Sequence, residues 1–196
     1  MSHSFTEPSI LTLAFYRFVY DPLRARQLRR LVGSLGLRGT ERVLVFGSGA
    51  GSEARYLADS LARGGRVTCL DVSATWLGEA KRRLRGRANV EYVLGDARSV
   101  GLAPESFDVI VAHYSLHDVD RPQLPATLAA LAQSLEPGGR FVVVEPSGQG
   151  HIHHALSPNE LASYMSAAGL QELSRREIES LPGRATEAIF ARGGGS

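Results

Sequence analysis

The feature that most constrains this chain is a series of short β-rich runs set far enough apart for a helix to lie between them. Arg42-Val43-Leu44-Val45-Phe46, Arg66-Val67-Thr68-Cys69-Leu70, Val90-Glu91-Tyr92-Val93, Phe107-Asp108-Val109-Ile110-Val111 and Arg140-Phe141-Val142-Val143-Val144 are the five runs. Strands that are covered on both faces read as near-continuous apolar runs rather than alternating ones. Helical patterns from Ser52 to Ala62, Ala74 to Leu84 and Leu124 to Leu135 are each long enough to carry the chain from one parallel strand to the next. Strand and helix alternate five times in this reading. After Glu145-Pro146 come a short loop, a helix from Pro158 to Ala168 that Ser157 would cap and Gly169 would end, and two last strands near Gln171 to Glu177 and Ala185 to Arg192. Before the sheet, Ile10 to Tyr20 is apolar and aromatic, Asp21-Pro22 interrupts it, and Leu28, Leu31, Val32 and Leu35 recur at helical spacing, which predicts two helices. The pattern predicts an α/β fold with a doubly wound, seven-stranded, mostly parallel sheet and N-terminal cap helices. Residues 1–192 read as one domain, with a cap at 1–38 and a core at 41–192, followed by a flexible tail at 193–196.

Composition narrows the class of function. With 196 residues, 43% of them hydrophobic, the chain can bury one sizeable core. Cys69 is the single cysteine, so no disulfide framework or cysteine-based zinc site can form within the chain, and no metal is expected. A net charge of +2 gives no argument for nucleic acid, although Arg17, Arg24, Arg26, Arg29 and Arg30 cluster early and Lys81, Arg82, Arg83, Arg85 and Arg87 later. Such runs suit solvated helix faces, or attraction to an anionic membrane surface or acidic substrate. The first thirty residues carry no signal-peptide pattern, and no apolar run approaches the ~20 residues that span a bilayer, so the expected location is cytoplasmic.

The first strand runs into Gly47-Ser48-Gly49-Ala50-Gly51, where glycines permit a tight turn and close approach of a ligand to the backbone. The dinucleotide fingerprint needs a glycine three residues after the second one, and Ser52 stands there instead. Gly-x-Gly-x-Gly resembles the first motif of class I S-adenosylmethionine-dependent methyltransferases, and the resemblance extends over about residues 41 to 192. Among family members, the small ubiquinone/menaquinone and phospholipid N-methyltransferases are the most similar in layout. The resemblance implies the Rossmann-like fold of that class and S-adenosylmethionine as cofactor. It implies that Gly47, Ser48, Gly49 and Gly51 cradle the cofactor and that Asp71, in Leu70-Asp71-Val72-Ser73, accepts hydrogen bonds from the ribose hydroxyls, with Val72 against the adenine face. A helix-capping Asp71 is the other reading, although Ser73 could cap instead. Gly95-Asp96-Ala97 looks like the family segment whose acid meets the adenine amino group. Ala112-His113-Tyr114-Ser115 resembles the loop that holds the methionine part, with Ala112 and His113 as its contacts. Leu135-Glu136-Pro137-Gly138-Gly139 looks like the family turn before the fifth strand and is architectural.

Two positions depart from the family. Val45 stands where most members carry an acid that holds the cofactor's ammonium group, a loss on the order of 1–3 kcal/mol for a charge-assisted hydrogen bond. That substitution motivates an alternative in which the chain binds the cofactor without methylating, as a cyclase, decarboxylase or binding protein. Trp76 replaces a frequent methionine and suits core filling or an adenine edge. Methyl transfer is an in-line displacement that relies on alignment, and a hydroxyl or ammonium acceptor also benefits from a base. His117, His113 and Tyr114 are the catalytic candidates, and Tyr16, Tyr20, Glu145 and His151 the substrate-binding ones. His151-Ile152-His153-His154 could also suggest a metal, but cysteine partners are missing. The expected acceptor is a small molecule or lipid, since only the N-terminal aromatic helix and the His151 to His154 loop can cover a pocket. That helix beside five arginines would also suit reversible docking on an anionic bilayer.

Overall fold

The computed structural model describes residues 7–147, 155–181 and 183–193. Its strands form a seven-stranded sheet in the order β3-β2-β1-β4-β5-β7-β6. The strands are β1 (Arg42–Phe46), β2 (Arg66–Asp71), β3 (Val90–Leu94), β4 (Phe107–His113), β5 (Leu135–Pro146), β6 (Leu170–Ser180) and β7 (Gly183–Arg192). Among the described residues six α-helices accompany them: α1 (Ile10–Phe15), α2 (Asp21–Ser34), α3 (Ser52–Ser60), α4 (Ala74–Arg83), α5 (Leu124–Ser134) and α6 (Pro158–Ala167). This is the mostly parallel, Rossmann-like α/β architecture that the spacing predicts. The chain divides into two compact units, Met1–Asp96 and Ala97–Ser196.

In the first unit β1 pairs parallel with β2 and β2 with β3. Val43, Leu44 and Val45 on β1 and Val67, Cys69 and Leu70 on β2 are all essentially inaccessible, as strands covered on both faces must be. Leu28, Leu35, Leu57, Leu61 and Leu84 complete this core from the helices and their ends. In the second unit β4 pairs parallel with β5, while β7 runs antiparallel between β5 and β6. Phe141, Phe190, Ile110, Leu116 and Leu124 are among its largest fully buried side chains. Ser157 caps α6 through a full capping box with Glu160, and Gly169 follows the helix at φ +80°.

Three local expectations change. Asp21-Pro22 does not break the N-terminal helix: a π-helical turn over Tyr16–Tyr20 joins α1 to α2, and the Asp21 N–H reaches back to the Tyr16 carbonyl. Pro22 has no N–H and its ring crowds the carbonyl four residues earlier, so a wider turn lets the helix pass through where an α-turn would clash. The alternation is also incomplete, since Gly95 to Ser106 between β3 and β4 carries only turns. Finally, β5 begins before Arg140: Leu135 already pairs with Phe107, and the Pro137-Gly138-Gly139 turn is absorbed as an irregularity before Arg140 meets Val109. Gly138 at φ +76° permits that bend.

Candidate functional site

In the first unit the chain leaves β1 through Gly47, Gly49 and Gly51 at φ +65°, +51° and +74°, a left-handed path that side chains with a Cβ resist. The Ser48 N–H donates to the Leu70 carbonyl at 3.1 Å and the Gly51 N–H to the Ser48 carbonyl at 2.9 Å. The Gly49 N–H donates to Asp71 Oδ2 at 2.7 Å, and the Ser73 N–H to Asp71 Oδ1 at 2.9 Å. Asp71 therefore ties the glycine turn to the start of α4. The helix cap is Ser73, whose Oγ accepts the Trp76 N–H at 3.2 Å. Asp71 is 8% exposed, and burial raises its pKa against the opposing N–H donors of Ser73, Gly49 and Val72. The Gly95 N–H donates to the Asp71 carbonyl at 2.9 Å, which brings Asp96 to the same strand end.

These residues fit the nucleoside end of S-adenosylmethionine. A Cβ at Gly51 would press on Leu84 and Ala80 of the neighbouring helix, whereas a Cβ at Gly49 would meet open space, so the turn is closed on one side and bare on the other. Val72, beside the carboxylate, is 57% exposed and gives an apolar surface where the adenine reading needs one.

The turn has a support that the sequence reading missed. Arg83 Nη2 lies 2.6 Å from Asp21 Oδ2, and its Nη1 donates to the Ala50 carbonyl at 3.1 Å. The Ser52 hydroxyl donates to Asp21 Oδ1 at 2.8 Å. Arg83 belonged to a basic run and Asp21 to a helix interruption in the sequence, and only folding brings them to the glycine turn. Val45 is 1% exposed and pairs in register with Cys69, so no side-chain acceptor for an ammonium exists there. Two acids lie close by: burial first, then the charges of Glu53 and Asp71, push the Cys69 thiol up to about 12, with the Ser48 hydroxyl opposing. Glu53, buried in the first turn of α3, is a further residue that spacing gave no reason to single out. Trp76 fills the core, its ring 5.1 Å edge-on from Tyr16, which lies 4.9 Å from Tyr20. Tyr16 and Tyr20 are thus gathered into one half-exposed aromatic cluster.

The second unit gathers the catalytic candidates where β4 and β5 end. Ala97 and Ala112 are buried and offer only backbone polar groups, and His113 is 7% exposed. Tyr114 follows at φ +56°, a strained conformation for a residue with a Cβ. Its N–H donates to the Val144 carbonyl at 2.8 Å and its hydroxyl meets Ser180 Oγ at 2.7 Å. The strained turn redirects the chain so that the Ser115 and Leu116 N–H groups both donate to Glu145 Oε1, at 2.9 and 2.7 Å. Glu145 Oε2 lies 2.6 Å from His117 Nδ1. At 1% exposure Glu145 has both oxygens occupied inside the protein, which makes it a support for His117. Burial disfavours a charged His117, but the hydrogen bond to Glu145 and the charges of Glu145 and Asp118 outweigh it and hold the imidazole pKa above its ordinary value. Held at Nδ1 by the Glu145 carboxylate, the ring presents Nε2, 3.6 Å from Asp118 Oδ1, as the position for a base. His151 and its neighbours through His154 lie outside the described residues.

The sheet order, the glycine turn and the acid that follows it together define a Rossmann-like fold of the S-adenosylmethionine-binding class. Residues 43–139 match the family described as Methyltransferase domain. A demethylmenaquinone methyltransferase of Clavibacter sepedonicus is 30% identical over 164 residues, covering 79% of this chain and 65% of that protein. One from Renibacterium salmoninarum is 33% identical, covering 62% of this chain and 48% of the relative. The chain therefore spans about half to two thirds of the length of these curated relatives. The crystal structure of a SAM-dependent methyltransferase from Aquifex aeolicus superposes with a TM-score of 0.77 at 20% identity, covering 92% of this chain and 98% of the other, a likeness of fold. This chain belongs to the class I S-adenosylmethionine-dependent methyltransferase family. The family's cofactor is S-adenosylmethionine, and the matches do not favour the non-methylating alternative that Val45 raised.

Proposed function

We propose that this chain transfers a methyl group from S-adenosylmethionine to a small quinone-type acceptor in its reduced, hydroxylated form, one that can carry an apolar chain. The observation that carries the reading is the His117–Glu145 pair. Its match to proteins named demethylmenaquinone methyltransferases supports the acceptor class. The cofactor supplies an electrophilic methyl on a sulfonium that departs as a neutral thioether. Gly47, Ser48, Gly49 and Gly51 would receive it along the turn, Asp71 would accept from the ribose hydroxyls, and Val72, with Asp96 and Ala97, would flank the adenine. Ala112 and His113 would meet the methionine part through the chain at the end of β4.

His117 Nε2 takes the proton from the acceptor hydroxyl, which raises electron density on oxygen and on the adjacent ring carbons. Glu145 keeps Nδ1 protonated and the ring aimed, and it stabilises the imidazolium that forms. A positioned base of this kind contributes typically 10²–10⁴-fold. His113 and Tyr114 are the further catalytic candidates, with Tyr16, Tyr20 and His151 assigned to the acceptor. The test is incubation with methyl-labelled S-adenosylmethionine and a chemically reduced 2-alkyl-1,4-naphthoquinone. Stoichiometric labelled product and S-adenosylhomocysteine are expected. Tight cofactor binding with no transfer to any reduced quinone would overturn the acceptor assignment.

A further inference from the structure

The outer face of the N-terminal helix leaves six large apolar side chains in solvent: Ile10, Leu11, Phe15, Phe18, Val19 and Leu23, exposed by 85, 81, 51, 71, 44 and 66%. They form a face rather than a scatter. Leu11, Phe15, Val19 and Leu23 recur every fourth residue, a spacing that drifts by about 40° per step around an α-helix. The π-helical turn over Tyr16–Tyr20 widens the helix in the middle of this run and reduces the drift, keeping the four on one side. Tyr16 turns the other way, against Trp76, and Phe15 joins the two faces, its ring centre 6.2 Å from those of Tyr16 and Tyr20.

Charge identifies the occupant. Arg17, Arg26, Arg29 and Arg30 are exposed on the same helical segment. Leu23, Arg26 and Arg30 share a face at i, i+3 and i+7, so the apolar surface passes directly into a basic one. The Arg17 guanidinium lies 5.3 Å from the Phe18 ring centre, which puts a cation beside the most protruding aromatic. Of the described acids in this segment, Asp21 is buried against Arg83, and Glu7 accepts from the Thr75 hydroxyl. No described helix is long and apolar enough to cross a membrane. A surface helix with aromatic and aliphatic residues on one side and arginines around them has the composition of a segment that lies in a lipid interface.

We propose that this face docks the protein on an anionic bilayer, with Leu11, Phe15, Phe18 and Val19 inserted at the level of the headgroups and the arginines on the lipid charges. The proposal rests on this helix alone and is independent of the acceptor assignment. The test is co-sedimentation of the full chain with phosphatidylcholine vesicles, with and without phosphatidylglycerol, at two salt concentrations. Binding to the anionic vesicles at least tenfold tighter than to the neutral ones, and weaker in high salt, is expected. The double variant Leu11→Asp/Phe18→Asp, at two exposed positions, should bind at least tenfold less while keeping its thermal midpoint. Arg26→Gln/Arg30→Gln should lose the preference for anionic lipid. Failure to bind anionic vesicles, or equal binding by the aspartate variant, overturns the proposal. So does a dimer in solution that the aspartate variant dissociates, because a second copy would then own the face.

Discussion

Replacing Glu145 by glutamine isolates the link on which the proposed chemistry depends. The substitution keeps volume, and the amide oxygen can still accept the Ser115 and Leu116 N–H groups that now bond Oε1. The amide nitrogen must then face His117 Nδ1, where a carboxylate oxygen stands at 2.6 Å. A donor opposite Nδ1 drives the neutral imidazole into the other tautomer, with the proton on Nε2 facing Asp118 Oδ1 at 3.6 Å, so the ring can no longer act as a base from Nε2. A lost hydrogen bond to a charged partner is worth about 1.5–3 kcal/mol, and a lost general base about 10²–10⁴ in rate. We expect kcat to fall about a hundredfold or more, with affinity for S-adenosylmethionine unchanged.

The pH dependence supplies a second readout of the same variant. Because His117 is raised, the acidic limb of wild-type kcat lies above the ordinary imidazole range; in the variant, burial acts against Asp118 alone and the limb of the residual activity moves to lower pH. For stability, a histidine raised in the fold contributes most below its unfolded value of about 6.5 and loses that contribution as pH rises through the raised value. The wild-type advantage over the variant in thermal midpoint should accordingly be largest below about pH 6.5 and shrink above it. Product formation measured from pH 5 to 9, beside thermal melts of both proteins, makes the comparison. A folded variant with kcat within about threefold of wild type and an unmoved limb would refute the base assignment.

Asp71→Ala should weaken S-adenosylmethionine binding by at least tenfold in calorimetry, because it removes the proposed ribose acceptor and frees the Gly49 and Ser73 N–H groups at once. Gly51→Ala forces a Cβ into a φ of +74° and to within 3.0 Å of Leu84 Cδ1 and 3.2 Å of Ala80 Cβ, so chemical denaturation should report a loss of about 1–3 kcal/mol. The Cys69 thiol, inaccessible and pushed up to about 12, should resist a thiol reagent at pH 8 in the native protein and react on unfolding; rapid native labelling would contradict its burial.

The strands and the glycine turn were legible in the sequence because each is a local signal. A continuous run such as Arg42 to Phe46 has no other way to satisfy itself than burial on both faces, and glycines at positive φ follow where the chain must turn sharply after it. The capping box at Ser157 and the stop at Gly169 were legible for the same reason. Asp71 could be read from its order along the chain, but its hydrogen bond to Gly49 joins two strand ends that only sheet pairing brings together. The break expected at Asp21-Pro22 failed because a local rule against proline competes with the packing of Tyr16 and Tyr20 beside Trp76, and a π-turn satisfies both.

What the sequence determined alone, then, is the succession of elements, the glycine turn and the residue types at the strand ends. These follow from backbone conformation and from periodicity within a few residues. Tertiary structure decided which groups meet. Glu145 was a candidate for substrate until β5 paired with β4 and turned it inward onto His117, and Arg83 was part of a surface charge run until folding set it on Asp21 and the Ala50 carbonyl. Partnerships between side chains distant in sequence have no period to read, because their energies arise only once burial removes water from both partners.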